Sequence, residues 1–205
     1  MISQTATKLN QHTAMLTAAM TFTMSANSPA GRIVNGPIRQ TVWVIVRLSS
    51  AEEMPGFIEL AGQVEQWFGP MAGEPGFRAA LAKHIRRGTA LSATTDGETD
   101  LLGGLLFTAR PPKYHVRWLV VSEQARGKGV GRALMADAMR RFVTDRGMVE
   151  VVTFGAGHPG ASASGARAFY ERLGFIPAEP AAPGPDGGSR QVYRKIVTVR
   201  DRHVS

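Results

Sequence analysis

A glycine-rich turn with interleaved cations follows the apolar residues 118–121. The turn carries three glycines and three basic side chains: Gly127, Gly129 and Gly131, with Arg126, Lys128 and Arg132. Glycine permits positive φ angles and a close approach of the backbone to a ligand. The first amides of the helix predicted to begin at Val130 lack intrahelical partners and lie at the positive end of its dipole. This spacing predicts a site for a phosphorylated ligand.

Two common phosphate motifs do not fit this turn. The Walker pattern requires glycine, four residues and then Gly-Lys-Ser/Thr, and no segment of the chain matches it. The dinucleotide pattern Gly-x-Gly-x-x-Gly starts correctly at Gly127 but needs a third glycine where Arg132 stands. A different phosphorylated ligand is therefore predicted, and a plain strand-to-helix turn without a ligand is the alternative.

The overall composition narrows the class of protein. The 205 residues include no cysteine, which excludes disulfides, thiolate zinc sites and a cysteine nucleophile. Hydrophobic residues make up 43% and charged residues 20% of the chain, which excludes full disorder. The five histidines show no metal-ligand spacing, and no apolar run approaches the roughly 20 residues of a membrane-spanning helix. We predict neither a metal site nor a membrane partner.

The net charge of +8 would attract polyanions, so nucleic acid is an alternative partner. The tightest basic cluster is Arg140-Arg141, with Arg146 further on. No aromatic-rich platform for a single strand accompanies it. We therefore predict no nucleic-acid partner and assign the excess arginines to a solvated surface.

The chain divides into two segments of different character. Residues 1–40 are rich in Thr, Ser, Ala and Asn, show no clear periodicity and end among prolines and glycines. They are predicted to form a flexible N-terminal extension. Regular patterns of strands and helices begin at residue 41, which predicts one domain over residues 41–205.

Hydrophobic spacing predicts the elements that position the turn. Strands are predicted over residues 41–47, 90–95, 101–108, 114–121, 148–154 and 191–199. Helices are predicted over residues 52–68, 77–85, 130–142 and 166–173, and loops over residues 155–165 and 177–188. Asp96-Gly97 predicts a hairpin between the second and third strands. Alternation along residues 114–121 places Tyr114, Val116, Trp118 and Val120 on one face.

Two motifs in this order resemble the GNAT superfamily of acyl-CoA-dependent N-acyltransferases. The first, Gln124-Ala-Arg-Gly-Lys-Gly129, matches the family signature Gln/Arg-x-x-Gly-x-Gly/Ala between the fourth strand and the third helix. The second, Ala166-Arg-Ala-Phe-Tyr-Glu-Arg-Leu-Gly-Phe175, is similar to the family's helix ending in Tyr-x-x-x-Gly-Phe. The two motifs together, on the right elements, are specific, and the resemblance covers roughly residues 41–200.

The resemblance implies an α/β fold of the three-layer α+β type. Its central sheet would be mixed and mostly antiparallel, with helices on both faces. The fourth and fifth strands, here residues 114–121 and 148–154, would splay apart.

The resemblance also implies acetyl-CoA as the cofactor. Its pyrophosphate would lie on the amides of residues 126–132, and its pantetheine arm would pair with residues 119–121 like an added strand. A strand amide near Val120 or Val121 would polarise the thioester carbonyl. The cofactor-binding residues expected on this basis are Leu119, Val120, Val121, Gln124, Ala125, Arg126, Gly127, Lys128, Gly129, Val130, Gly131, Arg132, Ser164, Arg167 and Tyr170.

Residues 155–165 lack the asparagine that family members often place there against the pantetheine. His158, Ser162 or Ser164 could replace it. Tyr170 falls on the family tyrosine that often protonates the departing CoA thiolate as a general acid. A packed helix tyrosine without a catalytic role is the alternative.

The sequence says less about the residues that bind the acceptor amine and remove its proton. A Glu, Asp, His or water chain removes the proton of the amine in this family, and His115, Glu65 and His158 are the candidates here. The expected substrate-binding residues are Glu65, Trp67 and His158. Trp67 could instead simply pack beneath the sheet.

The resemblance thus implies an N-acetyltransferase that moves an acetyl group from acetyl-CoA to a primary amine of a small molecule or peptide by direct attack. A catalytically idle acyl-CoA-binding sensor or interaction module is the alternative of another class. The supply of acetyl-CoA implies the cytoplasm. Family members often dimerise, and residues 177–188 with the last strand are a plausible place for a second subunit.

Overall fold

One central sheet organises the part of the chain that this computed structural model describes, residues 44–96, 100–184 and 186–198. Its strands are β1 (Val44–Leu48), β2 (Ala90–Thr95), β3 (Gly103–Arg110), β4 (Lys113–Val121), β5 (Gly147–Phe154), β6 (Ile176–Ala181) and β7 (Arg190–Val197). They lie in the order β1-β2-β3-β4-β5-β7-β6. All neighbours run antiparallel except β4 and β5, which run parallel. The predicted mixed, mostly antiparallel sheet is confirmed.

Helices cover both faces of this sheet. They are α1 (Met54–Gly62), α2 (Glu65–Phe68), α3 (Pro75–Arg86), α4 (Val130–Phe142), α5 (Pro159–Ser164) and α6 (Ala166–Arg172). Leu91 of β2 packs in a core cluster with Leu134 of α4. Its neighbour Ala90 packs with Phe57 of α1 and Leu81 of α3. Because adjacent strand residues face opposite sides, α4 lies on one face and α1 with α3 on the other.

The first helical region differs from the single helix predicted over residues 52–68. It consists of a 3₁₀ turn (Ala51–Glu53), α1 and α2, with an interruption at Gln63 and Val64. Gly62 is a poor helix former, and Val64 leaves the helical region with φ −121°. Leu60 and Val64 nevertheless belong to one core cluster. Apolar spacing therefore stays helical across the break and could not reveal it.

Two predicted loops contain regular structure. Within residues 155–165, α5 begins with Pro159 at its first position, and the side chain of His158 accepts a hydrogen bond from the Gly160 N–H at 2.8 Å. Within residues 177–188, the chain forms β6, which pairs with β7 in an irregular register. Its two prolines are tolerated because β6 is the edge strand among those that the structure describes.

A β-bulge in β4 overturns the predicted alternation of its side chains. Val116 pairs with Phe107 and Trp118 pairs with Leu106, so Arg117 has no partner on β3. An extra residue reverses the faces beyond it. Tyr114 and Val116 accordingly pack in the cluster of α4, whereas Trp118 and Val120 pack on the side of α1. The prediction that these four residues share one face is wrong.

The same bulge marks the point where β4 and β5 separate. Their parallel pairing runs from Lys113 opposite Met148 to Val116 opposite Val151 and then stops. The remaining residues of β4 keep β3 on one side, and none of the described strands pairs with them on the other. The predicted splay is confirmed.

Some predictions fall outside the described residues. These are the extension over residues 1–40, the first residues of the strand predicted from residue 41, Gly97 of the hairpin, and residues 199–205 at the end of the predicted last strand and domain. The antiparallel pairing of β2 with β3 is confirmed.

Replacing Gly104 with alanine should lower the free energy of unfolding by about 1–3 kcal/mol. The added Cβ would overlap Phe57 Cε1 and lie 3.0 Å from Cδ1 and Cζ of this fully buried ring. Gly62→Ala is the control, because a Cβ there meets no atom within 4 Å and should add up to about 1 kcal/mol. Urea unfolding measures both, and equal midpoints for the two variants would contradict this packing.

Candidate functional site

The gap between the ends of β4 and β5 opens into a cavity of about 520 Å³. Its walls come from the α1–α2 region, the last residues of β4, the turn before α4, the end of β5, and α6. The lining residues are Val64, Trp67, Phe68, Leu119, Val120, Val121, Ala125, Arg126, Gly127, Gly129, Val130, Gly131, Arg132, Phe154, Ser164, Gly165, Ala166, Phe169, Tyr170 and Arg172. A cavity of this size accommodates a small ligand.

Unpaired amides form the wall at the start of α4. Gly127 and Gly129 hold φ angles of 74° and 86°, which L side chains disfavour. The carbonyl of Gly129 accepts the first helical hydrogen bond, from the Ala133 N–H at 3.0 Å, and no side chain caps the helix. The N–H groups of residues 130–132 therefore have no intrahelical acceptor, and these three residues line the cavity.

Gly131 brings this helix start close to its neighbours. A Cβ at Gly131 would lie 3.2 Å from two ring carbons of Phe169 and 3.5 Å from Val121. The absence of a side chain thus lets α4 approach both α6 and the end of β4. The amides, the strand end and α6 converge on one space as a result.

Cations dominate the charge of the cavity. Arg126, Arg132 and Arg172 line it, and the described lining residues include no acidic side chain. The Arg126 guanidinium lies 5.0 Å from the ring centroid of Trp67, within the range of a cation–π contact. Together with the positive end of the α4 dipole, these side chains favour a polyanion such as a pyrophosphate.

The end of β4 offers a free backbone edge to the cavity. Leu119, Val120 and Val121 line it. The Ser122 N–H donates to the Leu102 carbonyl at 2.9 Å, toward β3. Because backbone directions alternate along an extended strand, the N–H groups of Leu119 and Val121 face away from β3, toward the gap. An extended ligand with amide groups can pair there as an added strand would.

Tyr170 contributes the hydroxyl-bearing side chain of α6 to the cavity. Its ring packs edge-on against Phe169 and Phe175, with centroid distances of 5.1 and 5.6 Å. Burial raises the pKa of Tyr170 well above its ordinary value, because a phenolate would lose its hydration there. The phenol therefore stays protonated near pH 7.

A comparison with protein families agrees with this geometry. Residues 86–177 match the family model described as the acetyltransferase (GNAT) domain. These residues resemble the GNAT superfamily, the family that the two sequence motifs also resemble. The matched residues include the cavity-lining turn, α4 and α6.

Solved GNAT structures share the fold at low sequence identity. A GNAT-family acetyltransferase from Bacillus cereus is 14% identical, with a TM-score of 0.58 over 75% of this chain and 97% of that one. PaiA N-acetyltransferase from Thermoplasma acidophilum, in complex with coenzyme A, is 17% identical, with a TM-score of 0.58 over 76% and 99%. The ribosomal-protein-S18-alanine N-acetyltransferase from Escherichia coli is 14% identical, with a TM-score of 0.56 over 80% and 99%. A comparison with curated proteins finds no significant match.

The described ranges of the chain show neither a membrane-spanning helix nor a metal-binding cluster. No helix there is long and apolar enough to cross a membrane. The same residues contain no group of three or more His, Asp or Glu side chains that could hold a metal ion.

The GNAT signature fits the cavity better when it is placed two residues later than the sequence suggested. Gln124 and Lys128 are exposed and do not line the cavity. Arg126, Gly129 and Gly131 satisfy the same Gln/Arg-x-x-Gly-x-Gly/Ala spacing, and all three line it. The chain satisfies the pattern in both registers, so only the structure could distinguish them.

Arg167 is the other expected cofactor residue that lies off the cavity. Its Nη1 donates to the Phe154 carbonyl at 3.2 Å and to Gln191 Oε1 at 2.9 Å. The guanidinium also lies 5.5 Å from the ring centroid of Tyr193. Arg167 therefore ties α6 to β5 and β7.

Glu65, expected to bind substrate, holds a turn instead. Its Oε1 accepts the N–H groups of Met71 and Ala72 at 2.8 and 2.7 Å. These hydrogen bonds lower the pKa of Glu65, and the residue does not line the cavity. Of the expected substrate residues, the structure places Trp67 at the cavity.

His158 is buried behind Phe154, with ring centroids 4.6 Å apart, and does not line the cavity. Its Nδ1 accepts the Gly160 N–H and must keep a lone pair, so Nε2 donates to Asp186 Oδ2 at 2.6 Å. Both ring nitrogens are engaged, which leaves none free for an amine. The other carboxylate oxygen of Asp186 accepts from Arg190 at 2.6 Å.

Of the three remaining candidates, one lines the cavity and two do not. His115 lies on β4 before the bulge, 3.5 Å from Glu150, and is not among the cavity-lining residues. Ser162 is exposed and also lies off the cavity, whereas Ser164 lines it. The Ser164 hydroxyl donates to the Gly160 carbonyl at 2.5 Å.

Several cavity-lining residues were not predicted from the sequence. Ala166 and Phe169 lie three or four residues from Tyr170 or Arg172, so helical spacing around Tyr170 could have identified one face of α6. Val64, Phe68 and Phe154 come from distant segments. No local pattern joins them, because only the packing of α2 against β5 brings them together.

Asp186→Asn should lower the free energy of unfolding by about 1–3 kcal/mol at pH 7, because hydrogen bonds from His158 and buried Arg190 lose their charged acceptor. The His158 hydrogen bond, with attraction from Arg190, keeps the pKa of Asp186 below its ordinary value. A lowered carboxyl pKa stabilises the fold above the pKa of the unfolded chain, about 3.9, and this contribution disappears as pH falls through the folded pKa. Urea midpoints from pH 7 to 3 should therefore converge for the two proteins, and a constant difference would contradict this assignment.

Proposed function

We propose that this GNAT domain transfers an acetyl group from acetyl-CoA to a primary amine of a small molecule or peptide by direct attack. One observation carries the proposal. The unpaired amides at the start of α4 and the free edge of β4 border the same cavity. The helix amides suit a pyrophosphate, and the free strand edge suits an extended arm that carries amide groups. Coenzyme A has both a pyrophosphate and such an arm.

The residues around the cavity fit this cofactor. The N–H groups of residues 130–132 would hold the pyrophosphate, with Arg126 and Arg132 adding positive charge beside them. The free edge of residues 119–121 would pair with the pantetheine amides. An N–H group of Leu119 or Val121 would stabilise negative charge on the thioester oxygen during attack.

Acetyl-CoA supplies the acetyl group as a thioester. The lone pair of the amine forms the new C–N bond, and the C–S bond breaks as the sulfur leaves with its electron pair. Tyr170 gives its proton to that sulfur, the proton lost by the amine passes to solvent, and the Tyr170 phenolate recovers a proton from solvent. No covalent bond to the protein is required. The raised pKa of Tyr170 keeps this proton available.

The related structures support the proposal at the level of chemistry. The Thermoplasma acidophilum structure holds coenzyme A, and the Escherichia coli neighbour acts on an alanine of ribosomal protein S18. The proposed place of action is the cytoplasm, where acetyl-CoA is supplied. We also propose that residues 41–205 form the acetyltransferase domain and that residues 177–188 with β7 are a place for a second copy of the chain.

Isothermal titration with acetyl-CoA tests the cofactor site. Gly129→Glu should weaken binding at least tenfold, because a carboxylate would face the helix-start amides and any side chain is strained at φ 86°. Gly73→Glu is the matched control: Gly73 is exposed, lies off the cavity and leaves open space for a Cβ, so the variant should bind like the wild type. Circular dichroism confirms that both variants fold.

Two results would contradict the cofactor assignment. Equal affinity of Gly129→Glu and the wild type for acetyl-CoA would contradict binding of the pyrophosphate at the α4 amides. No binding by the wild type would overturn the acetyltransferase proposal. Binding without turnover on any amine would favour the idle acyl-CoA sensor instead.

Tyr170→Phe should lower kcat about 100-fold and leave the Kd for acetyl-CoA unchanged, because the thiolate loses its proton donor. Tyr193→Phe is the control, since the Tyr193 hydroxyl donates to Glu171 at 2.9 Å and the residue does not line the cavity. The raised pKa of Tyr170 further predicts that wild-type kcat does not fall from loss of this proton between pH 7 and about 9. Thiol release measures these rates, and a kcat unchanged in Tyr170→Phe would exclude the acid role.

A further inference from the structure

Among the described residues, the cavity has no anionic side chain that could pair with an ammonium group or take its proton. The ionisable side chains among its described lining residues are Arg126, Arg132, Tyr170 and Arg172. Guanidinium groups remain protonated in proteins. The raised pKa of Tyr170 keeps the phenol protonated as well. A cationic amine entering this space would leave water without gaining a charged partner, which is costly.

Acidic side chains near the cavity are committed elsewhere. The Oε1 atom of Glu65 accepts two backbone N–H groups at the end of α2. Asp186 lies between His158 and Arg190, and Glu171 accepts the Tyr193 hydroxyl at 2.9 Å. Hydrogen bonds lower the pKa of both Glu65 and Asp186, which weakens them as bases.

His158 cannot supply the missing base in its folded arrangement. Its Nδ1 accepts the Gly160 N–H, and its Nε2 donates to Asp186. A proton added to Nδ1 would break the hydrogen bond that begins α5. The attacking nitrogen must therefore reach the thioester with its lone pair already free.

One part of the cavity wall is apolar. Val64, Phe68, Leu119 and Phe154 contribute to it, and the rings of Phe68 and Phe154 lie 4.6 Å apart. The Arg190 guanidinium lies 5.3 Å from the ring centroid of Phe68 and 4.8 Å from that of Phe154. Arg190 is buried and held by Asp186, so this wall has fixed support from behind. Such a wall suits an apolar substituent next to the amine.

We propose that the acceptor is a weakly basic primary amine carried on an apolar body, which enters the cavity in its neutral form. The α-amino group beside a carbonyl in an amino-acid amide or a peptide has this chemistry. The inference rests on the acetyltransferase function proposed above and narrows its substrate class. The domain needs no basic side chain for such an acceptor, because solvent removes the proton before attack.

The difference in basicity is large enough to decide selectivity. An α-amino group has a pKa of about 7.7–8.0 and a lysine side chain about 10.4. Near pH 7 the neutral fraction of the α-amine is therefore about 300 times greater. An enzyme that accepts neutral amines alone should show selectivity of this order at equal fit and equal reactivity of the two neutral amines.

Matched amines test the proposal with the full-length chain. L-phenylalanine amide and phenethylamine carry the same ring, but phenethylamine is an alkylamine and much more basic. With saturating acetyl-CoA, thiol release gives kcat/KM for each from pH 6 to 9. We expect phenylalanine amide to be preferred at least 100-fold at pH 7. Its log kcat/KM should rise with unit slope and level off at the pKa of the amide itself, while that of phenethylamine should still be rising at pH 9.

Two further acceptors complete the design. Glycine amide keeps the weakly basic amine without the ring and should lose at least tenfold in kcat/KM. The amide of the peptide Phe-Ala-Ala distinguishes the source of the acceptor: a higher kcat/KM than phenylalanine amide indicates a peptide, and a lower one a small molecule. Either result retains the proposed amine chemistry.

The opposite results are equally definite. If the pH profiles of kcat/KM for phenylalanine amide and phenethylamine level off at the same pH, a base on the protein is titrating and the proposal is overturned. Comparable kcat/KM values for the two amines at pH 7 would also overturn it. Glu65→Gln tests the carboxylate that the sequence offered as a base. A tenfold loss of kcat/KM with a displaced pH profile in this variant would also overturn the proposal. If acetyl-CoA binds but no amine causes thiol release, the acetyltransferase proposal itself fails, whatever the substrate class. Titration with acetyl-CoA separates this result from a loss of cofactor binding.

Discussion

Arg117 has no partner on β3, and the geometry of the cavity depends on this one unpaired residue. A bulge bends its strand and interrupts pairing. Beyond it β4 keeps its hydrogen bonds to β3 but loses β5, so a backbone edge remains free inside the domain rather than at its rim. A free edge at the middle of a sheet is costly unless something pairs with it. The proposed pantetheine arm would do so while it leads the thioester toward Tyr170.

The positive character of the cavity has its origin in the same strand. β4 runs through a 3₁₀ turn (Glu123–Ala125) into the glycine-rich turn and then α4, so the free edge and the unpaired helix amides are neighbours in the chain. Gly131 then allows α4 to approach Phe169 of α6. Short connections thus bring a strand edge, a helix dipole and a buried phenol into one space, and each supplies a different part of the proposed chemistry.

Acidic residues near the cavity stabilise the fold through hydrogen bonds. Glu65 closes the turn after α2, and Asp186 joins buried Arg190 to the histidine that begins α5. Arg190 in turn supports the rings of Phe68 and Phe154. Glu65, the carboxylate that the sequence offers for an amine, does not line the cavity, and the proposed acceptor follows from the lack of an acidic side chain among the described lining residues.

The sequence by itself determined the order of most elements and, through the family resemblance, the mixed sheet, and it predicted that the glycine-rich turn and Tyr170 lie at the site, because these depend on local spacing, glycine positions and short motifs. Tertiary structure alone decided the break between α1 and α2, the bulge at Arg117 and the register of the signature, with Arg126 rather than Gln124 at the cavity. It also decided the roles of Glu65 and His158, since a side chain's availability depends on hydrogen bonds to partners that spacing does not specify. Phe68 and Phe154 meet across 86 positions of sequence for the same reason: contacts between distant segments arise from packing of whole elements, which a local pattern does not record.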